Sequence, residues 1–313
     1  MRFWPPWSTR ASPPPPDTEP VLPREALGAL RRIEITARRL ASTELSGSYT
    51  SVFRGRGLAF SEVRLYQPGD DVRAIDWNVS ARMRETYIKV FVEEREITVM
   101  LLVDVSASGL FSSVGSTKRA LAAEVAAACA FSAVEHGDRV GLVLASDRVE
   151  RVVPPRKGRK HAMRVVREIL AARPVGTGTD LRAPLEALRH VARRRSVAFL
   201  LSDFQTRGYE RALALASARH DVIPIALVDP RDEELPDLGL VELEDLETGQ
   251  SVTLDTGSPR VRAAHARAAR VRREEWTRVC RRLGLDHAVV RTDAPYVRPL
   301  RELFLARARR THR

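Results

Sequence analysis

The chain is short of cysteine, of long apolar runs and of aromatic side chains, and each shortage removes a class of protein. Only Cys129 and Cys280 occur, one in an alanine-rich run and one among arginines, and neither has the spacing of a metal or redox motif. Both read as reduced thiols, which excludes a disulfide scaffold. The longest apolar stretches, such as residues 99–103 and 197–201, suit buried strands. They fall far short of the roughly 18 to 20 apolar residues that a bilayer helix needs. The opening MRFWPPWSTRASPPPPDTEP lacks the apolar core of a secretory signal, and its prolines make it a poor targeting helix. A cytoplasmic location is the resulting expectation. Aromatics make up only 6% of the chain and are not interleaved with its arginine clusters, so no base-stacking stripe stands out. The net charge of +12 nevertheless keeps a basic nucleic-acid-binding protein as the alternative reading. The favoured reading of that charge is solvated helix faces.

What is present is enough for a substantial core, since 313 residues with 44% hydrophobic content can hold one large α/β domain and a smaller one. Residues 1–23 are proline-rich and read as a disordered tail. Residues 24–96 read as an amino-terminal helix followed by a β-rich domain. In it Leu27, Leu30, Ile33, Ile35 and Leu40 recur at roughly helical intervals, and apolar and polar residues then alternate around a polar turn. From Ile97 to the end at residue 313, buried strands alternate with helices, the pattern of a mostly parallel sheet covered on both faces. A polar hairpin near 239–254 interrupts it, and an arginine-rich helix follows from about residue 260 to 283.

Three loops of this second domain carry oxygen ligands. The strand VMLLVDVSAS ends in Asp104, Ser106 and Ser108; GTGTDL offers Thr179, with Thr177 as a rival; and VAFLLSDF ends in Asp203. In open α/β sheets ligands collect at the carboxyl edge, where such loops emerge. A hard cation such as Mg²⁺ or Mn²⁺ takes about six oxygens, keeps several waters, and suits hydroxyls with one or two carboxylates. Zinc and copper favour imidazole or thiolate, and the set has neither. Turn residues and helix caps are the competing explanation for each loop taken singly.

Enzyme readings find less support. A phosphate-binding loop needs Gly-Lys-Ser/Thr, but Gly115 is followed by Ser116 and Thr117 before Lys118. An aspartyl phosphoryl acceptor of the haloacid dehalogenase kind would need a second Asp where Ser106 stands, and no GxSxG elbow occurs. A metal-dependent phosphoryl-transfer enzyme is therefore the weaker alternative, and the expectation is a protein that is not an enzyme.

The ordered Asp-x-Ser-x-Ser, Thr and Asp resemble the metal-ion-dependent adhesion site of von Willebrand factor A domains. That resemblance implies direct coordination by Ser106, Ser108 and Thr179, action of Asp104 and Asp203 chiefly through water, and a partner carboxylate completing the shell. A longer run, GRGLAFSEVRLYQPGDDVRAIDWNVSARMRETYIKVFVEERE, precedes LLVDVSAS, LLSDF, ALVDP and LEDLETG. Together these resemble the bacterial domain-of-unknown-function-58 family. The resemblance implies a von Willebrand A-like, doubly wound, mostly parallel α/β fold with a smaller β-rich amino-terminal part. It also implies work beside a MoxR-type AAA+ ATPase or that ATPase's protein substrate.

Gly69, Asp70, Asp71, Arg73, Asp76, Trp77 and Arg82 form a dense run of charges around one Trp. It reads either as a structural network of turns, caps and ion pairs or as a partner-docking surface. Trp77 is expected to pack between the two domains, and Asp203 to lie at the solvent-facing edge of the sheet.

Overall fold

Helix and strand segregate as the apolar periodicity requires. The computed structural model describes residues 24–45, 49, 59–92, 96–244 and 249–311, and the expected tail at 1–23 lies outside these. The chain divides into two compact units, Met1–Val52 with Thr98–Arg313, and Phe53–Ile97.

Helix α1 (Arg24–Leu40) buries Leu30, Ile33, Ala37 and Leu40, while Leu27 and Ile35 stay exposed. The sequence reading groups this helix with the β-rich segment, yet it belongs to the larger unit. The reason is its apolar stripe, which is covered by a helix at Lys118–Glu135. The smaller unit pairs β1 (Ala59–Leu65) antiparallel with β2 (Tyr87–Val92). Between them lies α2 (Trp77–Met83), where the sequence suggests only a turn. Its cap explains it. The Asp76 carboxylate accepts from Asn78 N at 3.0 Å and Val79 N at 3.2 Å, satisfying donors that a helix start otherwise leaves open. Arg84, left-handed at φ 59°, ends the helix.

In the larger unit β3 (Thr98–Asp104), β4 (Arg139–Ala145), β5 (Val149–Arg156), β6 (Val197–Ser202), β7 (Asp221–Val228) and β10 (Ala288–Arg291) form one sheet in the order β10-β7-β6-β3-β4-β5. All neighbours run parallel except β5, an antiparallel edge strand. The protein is thus mixed α/β with a mostly parallel central sheet. Central β3 is apolar from Val99 to Val103, all fully buried, as a strand covered on both faces requires. Helix α3 (Lys118–Glu135) is buried along most of its length, with Ala122, Ala123, Ala126, Ala127 and Ala130 fully buried, and touches β3, β4 and β7 as well as α1. Helices α4 (Arg159–Leu170), α5 (Arg182–Val191) and α6 (Glu210–Arg219) follow, then a single turn, α7 (Pro230–Glu233). The polar hairpin is a separate two-stranded sheet of β8 (Leu240–Glu244) and β9 (Ser251–Asp255). Helices α8 (Pro259–Arg282) and α9 (Val297–Thr311) flank β10 in sequence.

Cys129 in α3 and Cys280 in α8 are fully buried, and burial pushes both thiols up to about 12. Among the described residues no helix is long and apolar enough to cross a membrane.

Candidate metal centre

Parallel strands bring their carboxyl ends to one edge, so each loop leaving β3, β4, β6 and β7 starts beside the next. Asp104 ends β3 and is buried. Its Oδ1 accepts from Ser106 N at 2.9 Å and its Oδ2 from Ser202 Oγ at 2.6 Å. Burial and the neighbouring Asp203 charge push the Asp104 carboxyl up to about 6, against those hydrogen bonds. Ser106 Oγ and Ser108 Oγ lie 3.1 Å apart, two hydroxyls on one short loop. Arg119 fixes that loop from below by donating to Val105 O at 2.6 Å and Ser106 O at 3.3 Å.

The loop bearing Thr179 is held against the end of β4. Asp180 N donates to Ser146 O at 2.9 Å, and Gly176 N donates to Glu150 at 2.8 Å. A Cβ at Gly176 would stand 2.1 Å from Asp147 Oδ1 and 2.2 Å from Ser146 Oγ, so any other residue there would have to displace both side chains. Thr206 Oγ1 donates to Thr179 O at 3.1 Å, tying the loop after β6 to the threonine loop. Thr177, the rival threonine, is tied to Asp147 through its backbone.

Asp203 differs from expectation. Its side chain is only 5% exposed, not solvent-facing, because Lys118 Nζ donates to its Oδ2 at 2.8 Å. The same ammonium reaches Asp232 Oδ2 at 3.0 Å and Oδ1 at 3.2 Å. Burial works against a charged Lys118, but the two carboxylates outweigh it and hold the amine above its ordinary range. Asp232 also accepts from Gln205 Nε2 at 3.0 Å and Asp229 N at 2.9 Å. Asp229 is fully buried and accepts from Ser113 N at 3.0 Å, the Ser113 hydroxyl, Arg231 N at 2.9 Å and Thr292 Oγ1 at 3.0 Å. It therefore ties the loop after β3 to the ends of β7 and β10.

Sequence reasoning did not include Ser202, Lys118, Asp229 or Asp232 in this cluster. Two signals were available. Asp229, Pro230 and Asp232 have the composition of a capped helix start, at the end of a buried strand. Lys118 opens a helix whose first turn holds no acid, where a cation opposes the helix dipole and so calls for a distant partner.

The donors suit a hard cation and no soft one. Among the described residues no group of three or more His, Cys, Asp or Glu side chains is placed to hold a metal, so an ion here would depend on hydroxyl oxygens. Asp104, raised by burial and by Asp203, is the carboxylate that a cation would relieve most.

In the smaller unit the charged run resolves into local structure. Gly69 takes φ +108° in the turn after Pro68. Arg64 grips Asp70 with two bonds of 2.8 and 2.7 Å, and Asp71 accepts from Arg73 N at 2.9 Å. Asp76 caps α2 and lies 3.5 Å from Lys89 Nζ. Trp77, expected to pack between the two domains, is 71% exposed. Arg73 and Arg82 are exposed as well.

The family model described as "Protein of unknown function DUF58" matches residues 62–275. The uncharacterized protein Rv1480 of Mycobacterium tuberculosis is 37% identical over 286 residues, covering 90% of this chain and 89% of that protein. The uncharacterized protein YeaD of Bacillus subtilis is 27% identical over 184 residues, covering 59% of this chain and 43% of that protein. Among solved structures, the conserved hypothetical protein BatB from Bacteroides thetaiotaomicron is 14% identical with a TM-score of 0.45, covering 68% of this chain and 99% of that one.

Proposed function

The chain belongs to the DUF58 family of proteins of unknown function, and from that premise we propose that it is a metal-dependent protein-binding module with a von Willebrand A-like sheet domain. The observation that carries the reading is the end of β3, where buried Asp104 stands beside the paired Ser106 and Ser108 hydroxyls. The order of the loops supports it too, with Thr179 held between the ends of β4 and β6.

Ser106, Ser108 and Thr179 would supply neutral oxygens, and Asp104 and Asp203 the negative charge. Mg²⁺ or Mn²⁺ bound there would present an open positive position to a partner's Asp or Glu. The residues of this chain orient and exclude: Arg119 and Ser202 fix the loop and the carboxylate, and the burial of Asp104 keeps bulk water from screening the charge. No bond is made or broken in this reading, so the protein acts as an adaptor in the cytoplasm. Its expected partner is a MoxR-type AAA+ ATPase or that ATPase's substrate, a choice supported by family resemblance alone.

The test is calorimetric titration of the purified chain with Mg²⁺ and Mn²⁺. One site is expected, lost in Asp104→Ala and in Ser106→Ala while the urea midpoint shows a folded protein. Equal affinity in wild type and Asp104→Ala ends the reading. Co-purification with the ATPase, compared with Mg²⁺, with chelator and with Thr179→Ala, tests the partner; association unchanged in all three conditions removes it.

A further inference from the structure

Lys118 is placed where local chemistry opposes it. It occupies the first residue of α3, where the helix dipole disfavours a cation, and its side chain is only 3% exposed, where desolvation disfavours any charge. No acidic residue in the first turn compensates. What holds the ammonium is two carboxylates remote in sequence, Asp203 at 2.8 Å and Asp232 at 3.0 Å, brought by the loops after β6 and β7.

We infer that Lys118 sets the cation affinity of this edge, as a built-in monovalent cation that neutralises Asp203 and Asp232 and releases Asp203 to a divalent ion only in competition. The inference rests on the metal-binding reading above. Asp104, Asp203 and Asp232 lie along the edge, where Asp203 acts electrostatically on Asp104 and no three of the described acids form a metal-holding group. Lys118 pairs with the last two. The hydrogen bonds accepted by Asp104 come from neutral groups, Ser106 N and Ser202 Oγ. Arg119 donates its hydrogen bonds to the carbonyls of Val105, Ser106 and Ala172. An incoming divalent ion therefore meets one carboxylate that has no ion pair among the described residues and feels the Arg119 charge without a hydrogen bond to it, one already paired, and a fixed positive charge behind the second. At such a buried place a unit charge acts strongly. The lysine lowers affinity in the isolated chain and leaves room for a partner's carboxylate to complete binding.

The experiment is Mn²⁺ titration of the full chain, read by the paramagnetic resonance of free Mn²⁺. It compares wild type, Asp104→Ala, Lys118→Met, Lys118→Arg, and Lys118→Met combined with Asp104→Ala, each checked for a urea transition. Lys118→Met is expected to tighten Kd by at least about tenfold, because it removes the competing charge, whereas Lys118→Arg stays within about threefold. Adding Asp104→Ala should abolish the gain. A folded Lys118→Met with unchanged or weaker affinity overturns the inference. Should that variant not fold, Asp232→Asn decides: Lys118 is then left with Asp203 alone, so Mn²⁺ affinity falls, and unchanged or higher affinity overturns the idea. If wild type binds, Asp104→Ala does not, and Lys118→Met equals wild type, only the role of Lys118 is rejected. If no variant binds, the metal reading falls with it.

Discussion

The sheet edge and the Gly69–Trp77 run are both rich in Asp, and they use it oppositely. In the smaller unit each carboxylate is satisfied close by in sequence: Asp70 by Arg64 and Gln67, Asp71 by Arg73, and Asp76 by Asn78 and Val79. At the edge the partners are far apart in sequence, as in Lys118 with Asp203, Ser202 with Asp104, and Ser113 with Asp229. Local satisfaction is what a turn or a cap needs in order to form. Distant satisfaction exists only after folding, and there the chain gathers charge that a ligand could use.

The largest expected effect tests that contrast directly. Asp229→Ala strands several buried donors at once and should cost about 3 kcal/mol, against about 1 kcal/mol for Asp71→Ala, which removes one exposed cap. Urea unfolding measures both, and an Asp229→Ala loss no larger than that of Asp71→Ala would break the comparison. Asp203→Ala comes next. Breaking its buried pair leaves Lys118 with Asp232 alone, for a cost of about 2 kcal/mol. A loss near zero would mean that Lys118 is not held as described.

The two regions should also differ in the sign of their response to acid. Asp104 has a folded-state pKa of about 6, above its unfolded value. Between the two values the native protein binds a proton that the unfolded chain has released, so this group's contribution to stability falls as pH rises through that window. Without metal, the urea midpoint of wild type relative to Asp104→Asn should therefore rise as pH is lowered from 7 to about 5. Asp70, held below the ordinary carboxylate range by its bond to Arg64, does the reverse: its contribution is present above the unfolded pKa and is lost as pH falls through the folded one. Parallel pH profiles for wild type and Asp104→Asn would remove the distinction. The smallest effect is expected at Trp77, where alanine should change stability by no more than about 0.5 kcal/mol because the ring is already in water. A loss of several kcal/mol would restore the packing between the two domains first expected of it.

Much of this organisation was legible because it is periodic or local. Unbroken apolar runs mark β3, β6 and β7, and the alanine-rich run around Cys129 forms α3. The positions of Asp104, Ser106 and Asp203 follow from those strands, since a residue that ends a parallel strand must lie at the carboxyl edge. Lys118 was read only for its failure to complete a phosphate loop, because its partners are 85 and 114 residues away. The exposure of Trp77 was not legible, because a lone Trp among charges carries no periodic signal of which side it faces.

The two buried cysteines give the fold a clock. A thiol reacts as its thiolate, and with both held up to about 12 the native protein offers almost none at neutral pH. Alkylation must wait for the chain to open around α3 or α8. The two adduct-formation rates, resolved by peptide mass, would then time those openings separately, one near Tyr49 and Tyr296 and the other beside the aromatic cluster of Phe204, Tyr209 and Trp276.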